Sequence, residues 1–284
     1  VRTQGGNGSV NVAVAANGLA VGAAVTANGT GTVTLNAAGL LTVNEAVSSA
    51  TGNLILTGGS GVTHGANGDL TTTLTGTIDV TATANAITMA DGTVYGTGSG
   101  AVTLDAAGNI ALGQITTTSS ALTLTAIGGA ITDATAAETA NLTTTGTTTL
   151  SAATGIGGSA VGADINTTIG TLAATNATSG DIYILESDAL TIGGVGVRTQ
   201  GGNGSVNVAV AANGLTVGAA VTANGSGTVT LNAAGLLTVN AAVTSGTGNL
   251  SLTGGTGVTH GVDGDLTTTG AGTIDVTATA NGIT

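Results

Sequence analysis

The sequence predicts an all-β protein folded as a parallel β-solenoid, with roughly 20–25 residues in each coil. Three observations predict this fold: the apolar residues are small or β-branched, a long segment returns almost unchanged, and short apolar strands recur at a steady spacing. β-Branched residues favour strands, and regular recurrence is typical of stacked repeats. A thin core made of stacked strands therefore fits this sequence better than a globular core.

The composition points to a narrow interior. The chain has 51 Gly and two Tyr, but no Pro, Cys, Trp or Phe. A globular domain of this length normally fills its centre with large aromatic side chains, so their absence favours a tube that small aliphatic side chains can fill. Disordered chains are also rich in Gly and Ser, but they lack the alternating runs of Val, Ile and Thr found here. Collagen is excluded because Gly has no third-residue spacing.

A long tandem repeat organises the chain. The segment from Val1 to Thr88 returns almost verbatim as Val197 to Thr284. We therefore predict that residues 1–196 form one complete long repeat unit of about nine coils, and that residues 197–284 form the first part of the next unit. Such near-identity indicates recent duplication, so we expect the parent protein to carry many copies, of which this sequence is an excerpt.

Within the long repeat, pairs of aliphatic residues separated by one residue recur roughly every 20 to 24 positions, the spacing of one solenoid coil. Alternate residues of a strand lie on the same face, so both members of a pair are expected to face the core. A second set of pairs, such as Leu19/Val21, follows the first, so each coil should hold at least two strands. The predicted core-facing residues are Val10, Val12, Val33, Leu35, Leu54, Leu56, Ile78, Val80, Val102, Leu104, Leu122, Leu124, Ile182 and Ile184.

Differences between the two copies predict which side chains face outward. Ile55 becomes Ser251, and a buried hydroxyl without a partner would cost about 1–3 kcal/mol, so Ile55 is expected to face solvent. Leu74 becomes Gly270, which indicates a turn or an outer face. Gly, Asn and Ala between the strands are typical of tight corners. Residues 142–172 contain long Thr runs that obscure the pairs, and an irregular coil or a bulged face is expected there.

The charge excludes several classes of partner. Fourteen acidic residues are opposed only by Arg2 and Arg198, which leaves a net charge of −12. Nucleic acids and anionic lipid headgroups are bound by clustered Lys and Arg, so neither is expected as a partner. No apolar run approaches the roughly 20 residues of a membrane-spanning helix. The absence of Cys excludes disulfides and thiolate metal sites.

The candidate catalytic and metal-binding residues are few. His64 and its copy His260 precede Asp69 and Asp265, but no nucleophile or orienting group accompanies them, so we expect corner histidines and no enzyme activity. We also expect no cofactor. The weak candidates for a calcium site are Asp181, Glu186 and Asp188, with Asp79, Asp91 and Asp105 recurring elsewhere. The glycine-rich nonapeptide of calcium-binding toxin repeats is absent, so solvated acidic residues are favoured over ligands.

Two kinds of outward-facing residue could form a binding surface. Thr71-x-Thr73, Thr81-x-Thr83 and Thr143-x-Thr145 resemble the threonine arrays of ice-binding solenoids, but their phases are uneven. Glycan-binding faces usually present aromatic rings, and only Tyr95 and Tyr183 are available, each expected to be a single decoration on its repeat. A solenoid surface that binds a glycan, a protein or ice therefore remains the alternative to a structural role.

Several strings resemble filamentous haemagglutinin-like adhesins of Gram-negative bacteria, which are secreted by the two-partner pathway. They are SGAVTLDAAGNI at residues 99–110, SALTLTA at 120–126 and GAITDA at 129–134, and the resemblance extends over essentially the whole chain. It implies a right-handed parallel β-helix that forms the shaft of a giant filamentous protein on the bacterial cell surface. It also implies a structural role in attachment, biofilm or cell–cell contact, and a ligand on a host or cell surface is an expected partner. Independently of the resemblance, unpaired strand edges at the ends of a stack of coils predict end-to-end or lateral self-association into fibres.

Overall fold

The computed structural model describes all residues 1–284, and every regular element in it is a β-strand. The strands pair in parallel with strands one coil away, which confirms the predicted fold class of an all-β parallel β-solenoid. The chain divides into two compact units, Val1–Gly146 and Thr147–Thr284. No helix is present that is long and apolar enough to span a bilayer.

The first unit contains seventeen complete strands and the beginning of an eighteenth. They are β1 (Val10–Val14), β2 (Leu19–Val21), β3 (Val25–Ala27), β4 (Val33–Ala37), β5 (Leu41–Val43), β6 (Val47–Ser49), β7 (Leu54–Gly58), β8 (Val62–His64), β9 (Leu70–Thr72), β10 (Ile78–Ala82), β11 (Ile87–Met89), β12 (Val94–Gly96), β13 (Val102–Ala106), β14 (Ile110–Leu112), β15 (Gln114–Thr116), β16 (Leu122–Ala126), β17 (Ile131–Asp133) and β18 (Leu142–Ala152).

These strands form three faces, and each coil contributes one strand to each face. The first face contains the five-residue strands β1, β4, β7, β10, β13 and β16. The second face is the six-stranded sheet of β2, β5, β8, β11, β14 and β17. The third face contains β3, β6, β9, β12, β15 and the beginning of β18. Each coil therefore has three strands, where the sequence had indicated at least two.

The second unit begins within β18 and contains thirteen further strands. They are β19 (Ile165–Asn176), β20 (Ile182–Glu186), β21 (Leu190–Thr199), β22 (Val206–Val210), β23 (Leu215–Val217), β24 (Val221–Ala223), β25 (Val229–Ala233), β26 (Leu236–Val239), β27 (Val243–Ser245), β28 (Leu250–Gly254), β29 (Gly257–His260), β30 (Leu266–Thr268) and β31 (Ile274–Ala278).

The same three faces recur in the second unit. Strands β20, β22, β25, β28 and β31 form its first face. The beginning of β21 pairs with β23, β26 and β29 in the second face, and the end of β21 pairs with β24, β27 and β30 in the third. Strands β22 to β31 occupy the positions in the second copy that β1 to β10 occupy in the first, so the repeated sequence folds the same way twice.

One coil of the second unit is irregular. Ile156 is bridged to Ile182, and Ile165 is in register with Ile184, so residues 157–164 leave the first face between two neighbouring inward positions. The register of β19 against β21 also shifts between Leu172 and Ala174. The excursion lies within residues 142–172, for which the sequence predicts an irregular coil or a bulged face, and the register shift lies at the end of that stretch.

The predicted core-facing residues line the interior, with one exception. All of them are buried except Val12, which is half-buried because β1 is paired on one side only, with β4. Ile55 is 37% exposed and Leu74 is 57% exposed, in keeping with the outward positions expected from their substitutions. The interior also contains two polar rings, those of His64, which was expected at a corner, and Tyr95, which was expected as a surface decoration.

At the corner between the third and first faces, the backbones of successive coils lie too close together to leave room for a side chain. Gly31, Gly52, Gly76 and Gly100 stack there, one per coil, and we call this set the glycine column. A Cβ atom on Gly100 would lie 1.8 Å from the carbonyl oxygen of Gly76, and one on Gly52 would lie 2.0 Å from that of Gly31. None of the four has a positive φ, so close approach of successive corners, and not left-handed backbone, requires glycine here.

Buried hydroxyl groups bind the carbonyl oxygens of the same corner. Oγ of Ser49 donates to Gly31 O (2.7 Å), Oγ1 of Thr72 to Gly76 O (2.7 Å) and Oγ1 of Thr97 to Gly100 O (2.6 Å). We call these three residues the hydroxyl ladder. The second unit repeats the arrangement, with donors that include Thr199 and Ser245. Since a buried carbonyl oxygen without a partner is costly, the ladder makes the tight corner possible.

Candidate functional site

The structure does not pair the candidate acid–base residues. Nδ1 of His64 donates to the carbonyl oxygen of Gly68 (2.7 Å), and Nε2 has no partner. Oδ1 of Asp69 instead accepts from the backbone N–H of Val94 (2.8 Å). The carboxylate therefore fixes the next coil and does not orient the imidazole, so the two residues form no acid–base pair.

His64 lies at the end of β8, next to the corner, but its ring is buried in the interior, which the sequence did not predict. Its side chain is 1% exposed and lies on the inner side of β8, in register with Val43 and Met89. The ring of Tyr95 packs against it edge to face, with the ring centroids 5.1 Å apart. Tyr95 is fully buried and its hydroxyl has no partner, so it is not a surface decoration either. The interior of the first unit thus holds two polar rings in contact.

The buried position changes the protonation behaviour of both rings. Desolvation lowers the pKa of His64 from 6.5 to about 4, although the hydrogen bond to Gly68 opposes this change. Desolvation also raises the pKa of the Tyr95 hydroxyl well above its ordinary value. Both rings are therefore neutral at pH 7, which is the form that an apolar interior favours.

The calcium candidates are not brought together as a metal site. Glu186 is buried, and its Oε2 accepts from Thr167 Oγ1 (2.8 Å) and from the N–H of Ile169 (3.0 Å). Asp181 accepts from the N–H of Ser205. The structure contains no group of three or more His, Cys, Asp or Glu side chains that could hold a metal ion.

Glu186 binds backbone N–H groups at the irregular coil. Its Oε1 also accepts from the N–H of Asp188 (3.0 Å), so the carboxylate satisfies backbone donors both in β19 and in the bend after β20. Burial raises the pKa of Glu186, while hydrogen bonds from Thr167 and from the backbone oppose the change. The sequence predicts a solvated acid here because Glu186 is charged, although it follows Ile182 and Ile184 on the inward face of β20.

The remaining candidate acids are dispersed. Asp79 and Asp105 face outward from the first face, in register with Thr103 and Thr81 respectively, so they are not directly opposite each other. Asp79 accepts from the hydroxyl of Thr77 (2.8 Å). Asp91 is exposed in the turn after β11. These carboxylates do not converge on one point.

The outward-facing threonines form a regular surface on the second unit. The middle residues of its second-face strands are in register and are all threonine. This threonine column consists of Thr171, Thr191, Thr216, Thr238 and Thr259. The triplets singled out from the sequence do not form such an array, because Thr71 and Thr143 lie on the third face of the first unit and Thr81 lies on the first face.

One cavity of about 210 Å³ lies beside the first coil. Val12, Leu19, Val21, Val25 and Leu35 are among the residues that line it, and none of its lining side chains carries a hydrogen-bonding group. Ligand pockets normally combine an apolar wall with a few polar groups that fix orientation. This cavity is the apolar interior of the coil and has no such group.

The fold and these groups define the class as a parallel β-solenoid repeat protein whose buried polar residues serve the coil itself. Comparisons with protein-family models, with curated proteins and with solved structures find no match to this chain.

Proposed function

We propose that this chain is a structural shaft segment of a giant extracellular filamentous protein, an adhesin or surface fibre of a bacterium. In this role the solenoid provides length and rigidity for attachment or cell–cell contact. The filamentous haemagglutinin-like adhesins, which the sequence resembles, offer the model for secretion and for a cell-surface location.

The observation that carries the proposal is the identical folding of the two copies of the repeat. Val10–Val14 and Val206–Val210 are the same first-face strand in the two copies, and Ile78–Ala82 and Ile274–Ala278 are the same strand three coils later. A solenoid repeat interacts with its neighbours only, so copies can be added without redesign of the core. Duplication of such a unit extends the protein and adds no new chemistry.

The distribution of polar groups supports the same role. The buried hydroxyls bind corner carbonyls, Glu186 binds backbone donors, and the strands present mainly Thr, Ser and Asn to solvent. The net charge of −12 keeps such surfaces apart from one another and from anionic membranes. These are the properties of a soluble scaffold.

Immunoelectron microscopy tests the proposal directly. Antibodies raised against residues 1–284 should label thin filaments at the surface of intact source cells. Removing copies of the repeat from the parent gene should shorten these filaments in proportion and weaken attachment, whereas a deletion elsewhere in the gene that spares the repeats should leave filament length unchanged. Label confined to the cytoplasm, or filaments whose length does not follow the number of repeats, would contradict the proposal.

The threonine column favours one second candidate, a surface that binds ice. Its hydroxyl and methyl groups repeat at the spacing of neighbouring strands, about 4.8 Å, without an intervening charge. Thermal hysteresis of the purified chain measures this activity. The variant Thr216→Ala introduces the residue that the first copy has at the equivalent position, Ala20, and should reduce any hysteresis. Freezing without hysteresis at millimolar protein would rule this candidate out.

A further inference from the structure

The imidazole of His64, which packs against Tyr95, is buried where its positive charge would have no partner once it is protonated. Above and below His64, the register positions are apolar, Met89 and Val43. Nδ1 already donates to Gly68 O, so a second proton would go to Nε2, which has no acceptor within hydrogen-bonding distance. The nearest aromatic neighbour, Tyr95, presents its ring and not its hydroxyl as a partner.

No carboxylate compensates such a charge. Glu45 follows β5, Asp69 precedes β9 and Asp91 follows β11, all on the outer side of the corner between the second and third faces. Asp91 is exposed, and Glu45 and Asp69 are half-buried. Asp69 is bonded to the N–H of Val94, and none of the three bonds the imidazole. Tyr95 is the only titratable group in contact with the ring, and it is neutral.

We propose that His64 makes residues 62–96 an acid-labile segment of the first unit, because the protonated ring is accommodated only when this coil opens to water. Strands β8 and β12, which hold the two rings, would open to water more often below about pH 6. The remaining coils of the first unit would stay paired, since their interiors contain no histidine.

The second copy has a half-buried histidine, His260, at the equivalent position. His260 is in register with Val239, as His64 is with Val43, and its Nδ1 bonds Gly264 O (3.1 Å). A tandem array would therefore contain one such segment in every long repeat. Acid would open the array at regular intervals and would leave the coils between them intact.

Hydrogen-exchange mass spectrometry of the full 284-residue chain tests this proposal. Protection factors, corrected for the intrinsic rate at each pH, are compared at pH 7.5 and pH 4.5. With a pKa of about 4 in the closed coil and 6.5 in the open coil, protection of residues 62–96 should fall by about 70-fold between pH 7.5 and pH 4.5. Strands β13 to β16 of the same unit should keep their protection.

Two substitutions test whether the His64 imidazole, and not the rest of the coil, causes the loss of protection in acid. His64→Val places in β8 the residue that β5 already has at this register position, and His64→Met matches the residue in β11, so both should fold. Each should abolish the acid-induced loss in residues 62–96. His260→Val is the matched control, because it makes the same change in the second copy and should leave the response of residues 62–96 unchanged. Wild-type protection that persists at pH 4.5, or an undiminished loss in both His64 variants, would overturn the proposal.

Discussion

The glycine column provides the most direct test of how the solenoid is held together. The substitution Gly100→Ala adds one methyl group at the corner between the third and first faces. Its Cβ would lie 1.8 Å from the Gly76 carbonyl oxygen and 2.5 Å from the carbonyl carbon. Ordinary contact requires about 3.4 Å or more, so the two corners must separate by roughly 1.5 Å, about a third of the distance between neighbouring strands.

The energetic cost follows from what that separation disrupts. Overpacking of a rigid site costs about 1–3 kcal/mol. Displacement of Gly100 also weakens the hydrogen bond from Thr97 Oγ1 to its carbonyl oxygen, which contributes about 1 kcal/mol. We therefore expect Gly100→Ala to lower the free energy of unfolding by about 2–4 kcal/mol. Urea unfolding followed by far-UV circular dichroism measures this loss.

Gly96→Ala is the matched control. Gly96 lies in the same coil and has ordinary backbone geometry, and a Cβ atom there would meet nothing within 4 Å. Replacing Gly with Ala inside a strand should leave stability unchanged or raise it slightly, by up to about 1 kcal/mol. If Gly100→Ala unfolds at the same urea concentration as Gly96→Ala, stacking of successive corners does not limit the coil and the reasoning fails.

Three further predictions concern the interior of each unit. Leu104→Ala should cost about 2–5 kcal/mol in urea unfolding because Leu104 is fully buried, whereas Thr103→Ala, on the outer side of the same strand, should cost less than about 0.5 kcal/mol. Thr97→Val should cost about 1 kcal/mol, because it removes the shorter of two hydroxyl hydrogen bonds to the Gly100 carbonyl oxygen and leaves the longer one from Thr117 Oγ1 (3.3 Å); equal stability in urea unfolding would contradict this. Glu186→Gln should remove a pH dependence: burial raises the pKa of Glu186, so its contribution is most favourable in acid and declines as the pH rises through the raised pKa. The variant should therefore gain stability relative to wild type between pH 4 and pH 7, and a pH-independent difference in denaturation would contradict this.

The fold could be predicted from the sequence because inward apolar residues alternate with outward polar residues in the first-face strands. Val102 and Leu104 alternate with outward Thr103, and neighbouring coils repeat this alternation. The third face was harder to recognise because several of its strands have one aliphatic and one hydroxyl residue facing inward, as in Val47 and Ser49. Such a strand has no apolar pair, and its inward hydroxyl is explained only by the corner carbonyl that it binds.

The buried rings could not be predicted for a related reason. His64 and Tyr95 are polar residues that usually lie at surfaces, and they are 31 positions apart in the chain. Their contact depends on the lengths of the intervening corners, which the aliphatic pairs do not determine. In the Thr runs, likewise, Thr144 and Thr148 are buried while Thr145 is exposed, so residue type alone does not distinguish inside from outside.

Residues 157–164, which leave the first face, show where the solenoid tolerates an insertion. The strand is interrupted after Ile156 and resumes at Ile165, and both residues still pair with consecutive inward positions of β20. Val161, near the middle of the excursion, is completely exposed. Foreign peptides could be inserted at this point without altering the register of the coils. Each tandem duplication of the long repeat would then add another copy of the inserted peptide to the chain.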